Sequence, residues 1–239
     1  HPIPRRQRQM CIRDRSDAAR GLGGVYSDCP KIVIRASSRQ PSIKMSFNWG
    51  QNMGESFQHG PWRVLQRKAV YQDPWLKVER DDVIRPDGES GTYCVAYLKP
   101  GVCVVAIDHH QQISLTSEFH YGVGRITLEA VSGGIEPGDT PMETARRELL
   151  EEVGLTARTW IALGVVDPFT ANVVSPTRLY LAMGLTQGEA QPEGTEVIES
   201  VQMPLKKAID MVMRSEITHA PSCEAILRAG MHLGVFRWS

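Results

Sequence analysis

Three carboxylates, Glu148, Glu151 and Glu152, crowd into one short segment. On a helix turning 100° per residue they share an arc of about 100°. Glu148 and Glu152 stand at i, i+4, and Glu151 at i+3 from Glu148. Like charges at these spacings repel. A solvated helix face usually intersperses lysines, so the cluster calls for a cation. Hard oxygen donors suit Mg²⁺, or Mn²⁺, rather than zinc. The plainer alternative is an exposed acidic helix face with no ligand.

The element that must carry these residues can be derived locally. Thr140 has the side chain of an N-cap, Pro141 suits the first helical position, and Glu143 completes a capping box. Gly154 can adopt the left-handed conformation that ends a helix. The spacing therefore predicts a helix over Pro141–Val153. Met142, Ala145, Leu149 and Val153 lie within about 80° of one another and form its buried stripe. The carboxylates border that stripe, and Gly133-Gly134 ahead of the helix reads as part of a Gly-rich loop.

Around this helix the pattern is of short strands: Val64–Tyr71, Leu76–Ile84, Thr92–Leu98, Gly101–Ile107, Ile113–Ser117, Ala162–Val166 and Arg178–Leu185. Pro86-Asp87-Gly88 marks a turn between two of them. The C-terminus reads as helical. Residues 45–60, rich in Gly, Asn, Gln and Ser, read as a loop. Strands flanked by a few helices indicate a mixed α/β, or α+β, sandwich.

Net charge is zero over 239 residues, but the balance is uneven. Residues 1–44 hold ten Lys/Arg against three Asp, a surplus of seven, leaving 17 basic against 24 acidic residues in the rest. The basic leader lacks helical or strand periodicity. It reads as an artefactual extension ahead of Met45, with a transit-like presequence as the alternative. The acidic body argues against nonspecific nucleic-acid binding. No run reaches the length of a membrane helix. The five cysteines are scattered without a CxxC pair, which suits a reducing, cytoplasmic setting.

The segment Gly133–Leu155 resembles the Nudix box, G-x5-E-x7-R-E-U-x-E-E-x-G-U, where U is bulky and aliphatic. Gly133, Arg147, Glu148, Leu149, Glu151, Glu152, Gly154 and Leu155 match, and Asp139 replaces the usual glutamate. The resemblance implies a Nudix-type α/β/α sandwich with a mixed sheet, plus a small N-terminal β-strand region. It implies that Glu148, Glu151 and Glu152 hold metal, with the Ser132 carbonyl completing the coordination. Arg147 would orient the box carboxylates. The wider stretch from Trp62 to Ala229 resembles the ADP-ribose pyrophosphatase branch, whose N-terminal strands often form a dimer surface. Glu129 matches a glutamate common in that branch. Within the acidic stretch Glu193, Glu196 and Glu199, Glu196 is the choice for a further catalytic carboxylate, against a solvated loop.

Two departures bear on substrate. His120 stands where the branch often has an arginine that reaches substrate phosphates; a structural histidine is the favoured reading, with a substrate contact as the alternative. Pro168 and Pro176 flank, without matching, the position of a subgroup proline. Asp167-Pro168-Phe169-Thr170 is expected over the site as a specificity loop.

The resulting expectation is a non-domain leader at 1–60, N-terminal strands at 61–98 and a Nudix hydrolase domain at 99–235. The expected activity is metal-dependent hydrolysis of a diphosphate linkage in a nucleoside diphosphate derivative such as ADP-ribose or a related ADP- or NDP-sugar. Glu152, Glu151, Arg147 and Glu196 are the candidate catalytic residues. Glu129, His120, Gly133 and Gly134 are expected at the substrate. The partners expected are a small nucleotide and a second copy of the chain, with no nucleic acid and no membrane. The alternatives are a Nudix hydrolase of another nucleotide class and a non-catalytic nucleotide sensor.

Overall fold

The computed structural model describes residues 56–189 and 197–236. Strand β5 (Gly101–Ile107) explains the layering. Val102, Val104 and Ala106 are buried in one apolar cluster, and Cys103, Val105 and Ile107 in another. Successive side chains of a strand point to opposite faces, so a strand apolar at every position is covered on both sides.

Strand β5 is central in a six-stranded mixed sheet ordered β11-β6-β7-β5-β10-β8. Its members are β6 (Gln112–His120), β7 (Arg125–Gly134), β8 (Leu155–Val166), β10 (Thr177–Gln187) and β11 (Glu199–Pro204). On one face packs α1 (Pro141–Val153), through Ala145, Leu149 and Val153. On the other pack α2 (Leu205–Met213) and α3 (Ala220–His232), through Leu205, Ala208, Ile209, Ala225, Ile226 and Ala229. This is the expected α/β/α sandwich.

A second, five-stranded sheet joins β1 (Phe57–His59), β2 (Trp62–Gln72), β3 (Leu76–Ile84), β4 (Ser90–Leu98) and the short β9 (Val173–Val174). Strand β1 falls inside the stretch read as a loop, because its three residues gain a ladder with Arg63 and its neighbours. Strands β7 and β11 also went unread. In β7, Thr127, Glu129 and the terminal glycines break the apolar pattern; β11 is a short edge strand ending in proline. The Gly-rich loop is corrected accordingly: Gly133 and Gly134 are the last residues of β7, paired with Val102 and Gly101.

Helix α1 has the bounds its caps dictate. Thr140 is extended (φ −82°, ψ 154°), its hydroxyl accepts from the Glu143 N–H, and Gly154 is left-handed (φ 67°). Met142 is only partly buried, while Thr144 is fully buried. No helix among the described residues is long and apolar enough to cross a membrane.

Candidate active site

Strand β7 and helix α1 present the box residues to each other. A Cβ built on Gly133 would lie 2.1 Å from the Glu148 carboxyl carbon. The carboxylate therefore occupies the volume that any larger residue at 133 would claim, against the Ser132–Gly133 peptide. This is a physical reason for glycine at the head of the box. Glu148 is well shielded, with its side chain 13% exposed.

The acidic cluster already contains a cation. Arg147 places one guanidinium nitrogen 2.8 Å from Glu148 Oε1 and the other 2.8 Å from Glu151 Oε2. Arg147 relieves two of the three charges, so repulsion within the cluster does not by itself require a metal. Among the described residues, no three His, Cys, Asp or Glu side chains converge closely enough to hold an ion together. What fits a hard divalent ion is the donor chemistry, an all-oxygen set on one helical arc, with Glu148 seated against Gly133, the residue after Ser132. An ion held there would compete with Arg147 for Glu148 and Glu151. Thr144 Oγ1, one turn before Glu148, is buried without a hydrogen-bond partner.

A second polar cluster surrounds Glu129, on the face of β7 shared with Thr127, Val131 and Gly133. Glu129 Oε1 accepts from Thr127 Oγ1 (2.6 Å) and lies 3.2 Å from His120 Nε2; Oε2 lies 2.9 Å from His219 Nδ1. Burial pushes the Glu129 pKa up. The hydrogen bond and charge of His219, with Thr127 and His120, outweigh this and leave it below the ordinary carboxylate range. His120 is partly exposed and faces the Glu129 carboxylate, a contact that serves a structural as well as a binding role. His219 escaped the sequence reading, since nothing local signals a histidine 90 positions from its partner.

The Glu129 and Glu152 charges both act on the buried Cys103 thiol. Burial, the largest cause, pushes its pKa up to about 12, and both carboxylates add to the rise. Cys103 pairs with Ser132 across the β5–β7 ladder. Glu196 lies outside the described residues, as does Glu193; Glu199 opens β11 opposite Ser117.

A cavity of about 690 Å³ lies against the five-stranded sheet, lined among others by Trp62, Arg67, Asp81, Tyr93, Tyr97 and Asn172. No box carboxylate lines it. Trp62 and Tyr93 meet edge to face at 5.4 Å. Arg67 makes a two-pronged bond to the buried Asp81 (2.8 and 2.7 Å). The Asp167–Thr170 segment leads into this wall: Thr170 lines the cavity, Tyr93 Oη donates to the Ala171 carbonyl, and β9 pairs with β4.

Comparison with known proteins bears on this arrangement. Residues 97–222 match the NUDIX domain, and residues 62–95 match the nucleoside diphosphate sugar hydrolase N-terminal domain. An ADP-ribose pyrophosphatase of Mycobacterium tuberculosis is 32% identical over 170 residues, covering 70% of this chain and 82% of that one. A methanol dehydrogenase activator of Bacillus methanolicus is 24% identical, covering 73% and 94%. The crystal structure of an ADP compounds hydrolase shares the fold, with TM-score 0.64 and 22% identity, over 77% of this chain and 97% of that one. With the NUDIX match spanning more than half of the sequence, and the box glycine and glutamate interlocked as described, the chain belongs to the Nudix hydrolase family.

Proposed function

We propose that the protein hydrolyses the diphosphate linkage of a nucleoside diphosphate derivative, with ADP-ribose or a related ADP- or NDP-sugar as substrate and Mg²⁺, or Mn²⁺, as cofactor. The observation that carries this reading is the Glu148 carboxylate seated in the notch at Gly133, on a helix bearing Glu151 and Glu152. Residues Glu148, Glu151 and Glu152 and the Ser132 carbonyl would hold the ion. When bound, it supplies Lewis acidity that offsets the diphosphate charge.

The chain's own groups do the rest. Arg147 holds Glu148 and Glu151 in register. Glu152, or Glu196, accepts the proton of the attacking water as the phosphorus–oxygen anhydride bond breaks, giving two phosphate monoesters. Gly133 and Gly134 would meet the substrate through their backbone groups, since Glu148 and Lys99 take the space a Cβ would fill. Glu129 and His120 contact it beyond the box. The aromatic walls of the cavity, Trp62, Tyr93 and Tyr97, suit a planar base.

The same reading divides the described chain into an N-terminal strand region at 61–98 and a hydrolase domain at 99–235. Homodimerisation is supported by the exposed Val70, Tyr71 and Trp75 around the β2–β3 hairpin. A reducing, cytoplasmic setting suits the free thiols of Cys94, Cys103 and Cys223.

The test is Glu152→Gln assayed on ADP-ribose with Mg²⁺. The expected result is loss of turnover with an unchanged melting temperature, and phosphate monoesters as the wild-type products. Full turnover by the variant would sink the assignment.

A further inference from the structure

We infer that His219 is a positioning residue, holding Glu129 for substrate through the wedge where strands β5 and β7 part. The inference rests on the reading of Glu129 as a substrate contact.

The wedge is a feature of the sheet. Strand β7 pairs with β5 from Gly134 back to Val131, opposite Val104. Beyond that point β5 turns to β6, pairing Ala106 with Ser114 and Ile107 with Ile113. The Ala130 N–H, next along β7, has no partner on β5. It donates instead to Ser222 Oγ at 2.9 Å. Ser222 belongs to the first turn of α3 and is fully buried. The helix start therefore plugs the gap between the strands, and His219, its N-cap, is carried to the site with it. The ring does not cap its own helix. Its Nδ1 lies 2.9 Å from Glu129 Oε2 and 2.8 Å from Ser222 Oγ.

Hydrogen-bond inventory decides the tautomer. An ionised carboxylate only accepts, so His219 Nδ1 carries the proton. That one hydrogen is shared between Glu129 Oε2 and Ser222 Oγ, while Ser222 Oγ also accepts from the Ala130 N–H and lies 3.9 Å from Cys103 Sγ. Thr127 and His120 hold the other oxygen. Each oxygen thus has its own donor, which leaves the carboxylate little freedom to rotate. A carboxylate fixed in this way meets a ligand at no further entropic cost.

The experiment measures steady-state kinetics on ADP-ribose with Mg²⁺, together with melting temperatures, for variants at 219 and 129. His219→Ala is expected to lower kcat/KM roughly 10–100-fold, the size of effect that slight misplacement produces. His219→Asn, whose amide nitrogen falls near the Nδ1 position, is expected to recover most of that loss, and His219→Gln is not. In a Glu129→Gln background the His219→Ala loss is expected to shrink to within about twofold, because coupled residues are non-additive. Equal losses for Asn and Ala, or an undiminished loss in the Glu129→Gln background, overturns the inference. Should His219→Ala fail to fold, the Asn–Gln contrast alone decides. A fully active Glu129→Gln also overturns it, and separately removes Glu129 from the substrate contacts while leaving the box reading intact.

Discussion

The Glu148 carboxyl carbon stands 2.1 Å from where a Gly133 Cβ would be, so residue 133 and the side chain of residue 148 contend for one volume. The contending atoms are the far end of a flexible side chain, and that determines what a substitution does. In Gly133→Ala the carboxylate yields and the backbone keeps its place. Turnover is expected to fall by about 100-fold, as misplaced catalytic groups typically cause. The melting temperature without metal should change little, while the rise produced by Mg²⁺ should shrink. Kinetics and thermal shift on one preparation check both; turnover within twofold of wild type contradicts the notch.

On the proposed reading, Arg147 and a divalent ion would compete for the same carboxylates. In Arg147→Ala, Glu148 and Glu151 lose their cation, and the metal-free protein is expected to lose about 1 kcal/mol, the scale of partly exposed ion pairs. That corresponds to a drop of about 2–4 °C for a chain of this size. Because the ion then replaces the missing charge, the Mg²⁺-induced shift should be larger than in wild type. A smaller shift means that Arg147 assists the ion instead of opposing it.

Glu129 has a pKa below its ordinary range in the folded state. A group with a depressed folded pKa contributes stability that is present above its unfolded pKa, about 4.3 for glutamate. That contribution fades as pH falls through the folded value. Chemical denaturation from pH 7 to pH 3 should show wild type losing stability over that acid interval. Glu129→Gln should have a flatter profile there. Parallel profiles would mean that the His219 and Thr127 contacts do not favour the ionised form.

Thr144 buries a hydroxyl with no partner on the box helix. Removing such a group by an isosteric apolar one is nearly neutral or stabilising. Thr144→Val is expected to leave stability unchanged or raise it by up to about 1 kcal/mol, read from denaturant midpoints. A loss above about 1 kcal/mol means the hydroxyl has a partner in solution.

Local chemistry was legible where neighbours in sequence are neighbours in space. The capping box at Thr140 and Glu143 and the stop at Gly154 act within a few residues, and α1 has the bounds they imply. Strands β3 and β5 likewise have the expected bounds, Leu76–Ile84 and Gly101–Ile107. Strand β7 was not legible. Thr127, Glu129 and the terminal glycines interrupt its apolar alternation, and Gly133-Gly134 alone read as part of a loop.

By itself, the sequence determined the box helix, the spacing of its three glutamates and the chemistry of their oxygens, because helix geometry turns sequence spacing directly into an arc. Tertiary structure alone decided which partners those groups meet. Long-range pairing brought Gly133 under Glu148 and set β4 against the Thr170–Val174 wall. The parting of β5 from β7 admitted α3, and with it His219, to Glu129. Such contacts depend on how the sheet closes, and no local spacing records that.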